Sequence, residues 1–137
     1  MKLLITLLLL TQVAYADTVY RYEITRVVDG DTFEFIIPDM PKELGKFKLR
    51  VYGIDSGEIG SRAKCSKENE IGKAASKYAK ELILSAADVG ITIRGWDKYG
   101  GRVIGDLIIN GRSYRDMMIE KKLVKPYDGG KKQSWCL

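Results

Sequence analysis

The 137-residue sequence contains no histidine. A serine or cysteine nucleophile activated by an imidazole is therefore excluded. Zinc hydrolase sites built on two histidines are excluded as well. There are two cysteines, Cys65 and Cys136, too few to cage zinc without an imidazole to complete the ligand set. Three prolines form no linker, and no internal repeat or low-complexity tract divides the chain, which predicts one domain. Beyond the first 16 residues no stretch is apolar and long enough to cross a bilayer. Any hydrolysis must rest on carboxylates and arginines, with or without a hard metal ion.

The N-terminal residues read as an address. Lys2 supplies a positive start, Leu3 to Leu10 is apolar except for Thr6, and Ala14-Tyr15-Ala16 is a small-x-small cleavage signal. Residues 1–16 are predicted to be a signal peptide and residues 17–137 the folded domain, secreted or periplasmic; an uncleaved anchor is the alternative. In that oxidising setting Cys65 and Cys136 are expected to pair. The bond closes a loop of about 70 residues, worth roughly 4 kcal/mol in the chain-entropy model. The net charge is +5, which fits an anionic partner and equally fits proteins that have none. Lys121, Lys122, Lys125, Lys131 and Lys132 crowd the C-terminus against Asp128 alone. That patch reads either as a polyanion contact or as a solvated face.

Periodicity orders the elements. Val19 to Val28 is β-branched and aromatic, and Asp29-Gly30 is a two-residue hairpin signal. Asp31 then opens a second strand, in which Phe33, Phe35 and Ile37 alternate with Thr32 and Glu34. Phe47, Leu49 and Val51 alternate with Lys46, Lys48 and Arg50 in a third. Ser66 is placed to cap a helix, with Glu68 and Glu70 near its positive end. Its apolar face would be Ile71, Ala74, Ala75, Tyr78, Ala79, Leu82 and Ile83. Gly90 to Arg94 and Arg102 to Ile109 read as two further strands, followed by the turn Asn110-Gly111. Ser113-x-x-Asp116 has the form of a capping box before a second helix that includes Met117 and Met118. The plan is α+β and mainly β: a five-stranded OB-type barrel with two attached helices and an irregular tail.

The acids Asp29, Asp31, Asp55 and Glu58 all fall at strand ends or turns. If the second and third strands are neighbours, Asp31 and Asp55 converge at one end of the sheet. Convergent carboxylates are hard oxygen ligands suited to Ca²⁺ or Mg²⁺. Each acid taken singly is more readily a turn or capping residue than a ligand. Arg50 lies on the polar side of its strand, and Arg102 follows a turn-like segment. A guanidinium fork grips phosphate bidentately and stays charged at any working pH.

Three blocks carry a resemblance. Val28-Asp29-Gly30-Asp31-Thr32, Arg50-Val51-Tyr52-Gly53-Ile54-Asp55-Ser56-Gly57-Glu58 and Asp97-Lys98-Tyr99-Gly100-Gly101-Arg102 resemble the motif blocks of staphylococcal (micrococcal) nuclease and its thermonuclease relatives, over residues 22–127. The resemblance implies an OB-type barrel and Ca²⁺-dependent hydrolysis of DNA and RNA that leaves 3′-phosphate ends. By position it implies metal ligation by Asp31, Asp55 and the backbone of Ser56, and phosphate binding by Arg50 and Arg102. Glu58 matches the residue that activates water, while Lys98, Tyr99 and Tyr127 match positions near the nucleotide. Ser56 replaces the family's usual threonine. Gly57 stands where proline is usual, which is expected to loosen the turn carrying Glu58. Gly101 is an extra residue that the glycine-rich loop is expected to absorb. The family's long C-terminal helix is missing, and the Cys65–Cys136 bond is expected to pin the short tail in its place.

The rival reading is a non-catalytic OB-fold module that binds nucleic acid; a structural envelope protein would leave the acids and arginines without a purpose. The joint presence of Asp31, Arg50, Asp55, Glu58 and Arg102 favours an enzyme. No base-reading pattern is visible, and a monomer is the default expectation.

Overall fold

Alternation of apolar and charged residues builds the sheet. The computed structural model describes residues 17–137; the signal peptide expected over residues 1–16 lies outside the described residues. Strands β1 (Glu23–Asp29), β2 (Thr32–Ile36) and β3 (Lys46–Val51) form an antiparallel meander. Phe33, Phe35, Leu49 and Val51 point inward and are almost wholly buried. Each such side chain contributes about 1.5–3 kcal/mol when taken from water. Glu34, on the other face, is tolerated in a buried setting because Arg26 at 2.6 Å and Lys46 at 3.2 Å flank it.

A short strand β4 (Ile54–Asp55) and a 3₁₀ turn at Gly60–Arg62 lead into helix α1 (Ser66–Ser85). Strands β5 (Val89–Trp96) and β6 (Arg102–Ile109) pair antiparallel, and β6 runs parallel to β3. The strand order is β1-β2-β3-β6-β5. Tyr20, just ahead of β1, exchanges two 2.8 Å hydrogen bonds with Ile91 of β5. That contact draws the outer strands of the sheet together and leaves less open edge. The molecule is therefore α+β and mainly strands, a curled five-stranded OB-type sheet with two helices attached.

Short strand β7 (Arg112–Ser113), helix α2 (Tyr114–Glu120) and short strand β8 (Lys125–Pro126) complete the chain. The tail is not wholly irregular, since β8 pairs with β4. Tyr114 donates from its hydroxyl to the Gly30 carbonyl at 2.7 Å and packs edge-on to Phe33. Among the described residues no helix is long and apolar enough to cross a membrane. Cys65 and Cys136 form the expected disulfide.

Local boundaries shift where packing outweighs propensity. Asp29 pairs with Thr32, so the hairpin turn is Gly30-Asp31, not Asp29-Gly30, and Asp31 lies in the turn. A Cβ on Gly30 would fall 2.8 Å from Ala75 Cβ and 2.9 Å from Ser56 Cβ. Gly30 is thus required for close approach rather than for turn geometry. The expected first strand shortens to Glu23–Asp29, and Gly90–Arg94 lengthens to Val89–Trp96. Ser66 does not cap α1. Cys65 occupies the cap position without a side-chain bond, and the Glu68 carboxylate instead accepts the Lys64 N–H at 2.7 Å. Ala74 is exposed, and Gly72 and Ser76 are buried beside Ala75 and Ala79. The box at α2 forms in half: Ser113 accepts from the Asp116 N–H, but the Asp116 carboxylate turns to Arg115. Asn110 and Gly111 both take positive φ, 49° and 79°, as an Asn-Gly hairpin turn requires.

Candidate functional site

The β1–β2 turn, the end of β3, β4 and the start of β6 meet at one end of the sheet. The Asp31 carbonyl accepts the Val51 N–H at 2.9 Å, which fixes the turn against β3. The Asp31 carboxylate is almost fully engaged. Its Oδ2 accepts the Ser56 N–H at 2.9 Å and lies 3.3 Å from Arg50 Nη1, while its Oδ1 accepts the Thr32 hydroxyl at 2.7 Å. Arg50 also donates from Nη1 to the Val51 carbonyl at 2.9 Å, so its guanidinium is held along the strand end rather than left to swing in solvent.

Asp29 supports the turn by accepting the Asp31 N–H at 3.1 Å. Burial and then the neighbouring Asp31 charge push its carboxyl up to about 7. Burial acts against a charge on Asp31 as well. There the Arg50 guanidinium and hydrogen bonds from Asp29, the Ser56 N–H and Thr32 outweigh it and hold the carboxyl below the ordinary carboxylate value. Asp29 carries the proton of the pair and Asp31 the charge.

Asp55 ends β4 and is buried. Lys132 Nζ is 2.8 Å from its Oδ1, in ion-pair contact without the alignment of a hydrogen bond. The Trp135 indole N–H reaches its Oδ2 at 3.4 Å. Burial disfavours the charge on Lys132, yet the Asp55 contact outweighs it and raises the ammonium pKa.

The Glu58 loop is pinned, contrary to the expectation that Gly57 loosens it. A Cβ on Gly57 would lie 2.7 Å from the Glu68 carbonyl, and one on Gly72 would lie 2.5 Å from the Gly57 carbonyl. Two glycines thus let the loop backbone rest directly on α1. Glu68 Oε1 accepts the Glu58 N–H at 3.2 Å, with its other oxygen on Lys64. The Glu58 side chain faces the cleft, its Oε2 3.4 Å from Arg62 Nε.

Arg102 is the first residue of β6 and pairs in register with Lys48, two residues ahead of Arg50 on β3. The extra glycine is accommodated within the loop. Gly101 takes φ 71°, its carbonyl accepts the Lys48 N–H, and the Asp97 N–H closes on the Arg102 carbonyl. Arg102 Nε lies 2.5 Å from Asp97 Oδ2, and its guanidinium sits 4.6 Å from the Tyr99 ring centre. Lys98 is exposed beside Tyr99. Tyr127 is anchored by its N–H to the Gly53 carbonyl and its hydroxyl to the Gly130 carbonyl.

These side chains border an open cleft of about 950 Å³. Seven of the nine residues expected from sequence line it: Asp31, Arg50, Glu58, Lys98, Tyr99, Arg102 and Tyr127. Asp55 borders an adjoining pocket of about 410 Å³ that shares Tyr127. Ser56 is buried behind both and serves Asp31 through its N–H. Among the described residues no three acidic or sulfur side chains gather closely enough to enclose a metal by themselves. The donors present are nonetheless hard oxygens, and Asp55 Oδ1 and Glu58 Oε2 are buried without a hydrogen-bond partner. That chemistry fits a divalent ion held by Asp31 and Asp55, with water and a substrate phosphate filling an open coordination shell.

Sequence reasoning missed Lys132, Trp135 and Glu68. The lysine cluster was visible, but nothing in one dimension placed it on Asp55. The pairing of Cys136 with Cys65, just ahead of α1, was the available signal. No protein-family model matches this chain, and no curated protein matches it.

Proposed function

We propose that the protein is a secreted, calcium-dependent nuclease that hydrolyses phosphodiester bonds of DNA and RNA, leaves 3′-phosphate ends and has little sequence specificity. The observation that carries this reading is the placement of Arg50 and Arg102 on adjacent parallel strands, with Glu58 and Asp31 on the wall of the same cleft. The likeness of the three sequence blocks to the thermonuclease family supports it, as do the disulfide and the leader-like N-terminus.

The roles follow from chemistry. Arg50 and Arg102 grip the phosphate and offset the charge that grows on it in the transition state. Glu58 accepts a proton from the attacking water. A bond forms from that water to phosphorus, the bond to the 5′ oxygen breaks, and the leaving oxygen takes up a proton from solvent. Asp31 and Asp55 would hold the cation, and Ca²⁺, when bound, would supply Lewis-acid stabilisation of the phosphate. Tyr99, exposed at the rim, offers an apolar face to a base and so gives affinity without reading sequence.

Incubation with DNA and with RNA, with Ca²⁺ or with EDTA, tests the reading. Cleavage that depends on Ca²⁺ is expected. Binding without cleavage under every condition would replace the nuclease with a non-catalytic nucleic-acid-binding module.

A further inference from the structure

The C-terminal tail is a strap over the candidate cation site. Its near end is tied where β8 pairs with β4, Asp55 opposite Lys125. Its far end is tied by the disulfide from Cys136 to Cys65. Between these ties, Lys125 Nζ donates to the Ser134 carbonyl at 2.7 Å and lies 4.5 Å from the Trp135 ring centre, which stiffens the span. Lys132 and Trp135 project from the strap onto the two oxygens of Asp55. An ammonium this close to a carboxylate oxygen occupies space and charge that a divalent ion on the same oxygen would need.

We propose that Lys132 is a tethered counter-ion that competes with the divalent cation for Asp55, and that the Cys65–Cys136 bond sets how strongly it competes. This inference rests on the cation site proposed above. Ion binding would displace the ammonium into the cleft that Lys132 already borders with Arg50 and Arg102, where it adds a third positive group near a bound phosphate. The strap thereby makes cation affinity depend on the state of the disulfide. Reduction by an added dithiol, which is itself oxidised to its disulfide as the Cys65–Cys136 bond opens to two thiols, frees the far end, lowers the local concentration of the ammonium at Asp55 and strengthens ion binding.

Calorimetric titration of Ca²⁺ into the disulfide-bonded protein, the reduced protein and Lys132→Gln tests this without recourse to activity. Lys132→Gln is expected to bind Ca²⁺ about tenfold more tightly than wild type, the gain being moderated by solvent at a half-exposed lysine. Reduction should move wild type toward the variant and leave the variant unchanged. Equal affinities for wild type and Lys132→Gln would overturn the strap alone. Reduction shifting both proteins equally would overturn it as well. Absence of Ca²⁺ binding to every form would remove the cation site itself, and the strap with it.

Discussion

Asp29 and Asp31 lie two residues apart yet hold their protons in opposite ways. Arg50 and the Ser56 N–H favour the charge on Asp31, while Asp29 is left with burial and a like-charged neighbour. Division of labour at this scale also governs the proposed chemistry. Glu58→Gln keeps the shape of the loop but removes the proton acceptor; Arg102→Ala removes a phosphate donor. Each should lower the cleavage rate by about 10²–10³ with an unchanged melting temperature. Wild-type rates in both variants would reject the assignment.

Asp106 makes a second residue-scale case, away from the cleft. Its Oδ1 accepts the Leu107 N–H at 2.8 Å and the Arg115 N–H at 3.2 Å, and Ser113 donates to its Oδ2. Burial nevertheless raises its pKa above the ordinary value. A carboxyl raised on folding adds stability fully below its unfolded pKa, and that contribution is lost as pH rises through the folded value. Asp106→Asn retains the Oδ1 acceptor and carries no charge to desolvate. Its melting temperature relative to wild type should therefore climb as the pH rises above the ordinary aspartate value of about 4. A difference that is flat with pH would mean that burial of the charge is not what perturbs this group.

Among the elements, α1 does more than cover the sheet. Its first turns form the bed on which the Glu58 loop lies, through Gly72 and Glu68. Glycine inside a helix normally costs about 1 kcal/mol relative to alanine, so Gly72→Ala on an open helix face would stabilise. Here the added methyl meets the Gly57 carbonyl, and a backbone atom cannot swing aside. Gly72→Ala should destabilise by about 1–3 kcal/mol and lower kcat more than it raises KM, because Glu58 shifts while the arginines stay. Denaturant melts and steady-state kinetics read the two effects; a stabilised, fully active variant would show that the contact yields freely.

Across the whole molecule, the disulfide joins the start of α1 to the last residues, 71 positions apart. A bond closing a loop of that length restricts the unfolded chain by roughly 4 kcal/mol in the entropy model. Reduction should lower the melting temperature markedly, and Cys136→Ser should match it; an unchanged melting temperature would argue that the tail adds nothing to folding. Much of this architecture is legible in one dimension. Period-two alternation at Phe33, Phe35, Leu49 and Val51 determines which strand faces are buried, because a side chain's face follows from its parity. The absence of histidine determines which hydrolytic chemistries are closed, and residues such as Asp31, Arg50 and Arg102 were recognisable as one constellation through the likeness of three separated, ordered blocks to a known family. What only the tertiary structure decided is how groups far apart in the chain meet: the parallel pairing of β3 with β6 that aligns Arg50 and Arg102, the seating of Gly57 on Gly72, and the placing of Lys132 against Asp55. Those contacts depend on close packing and on charge across space, which local periodicity does not encode.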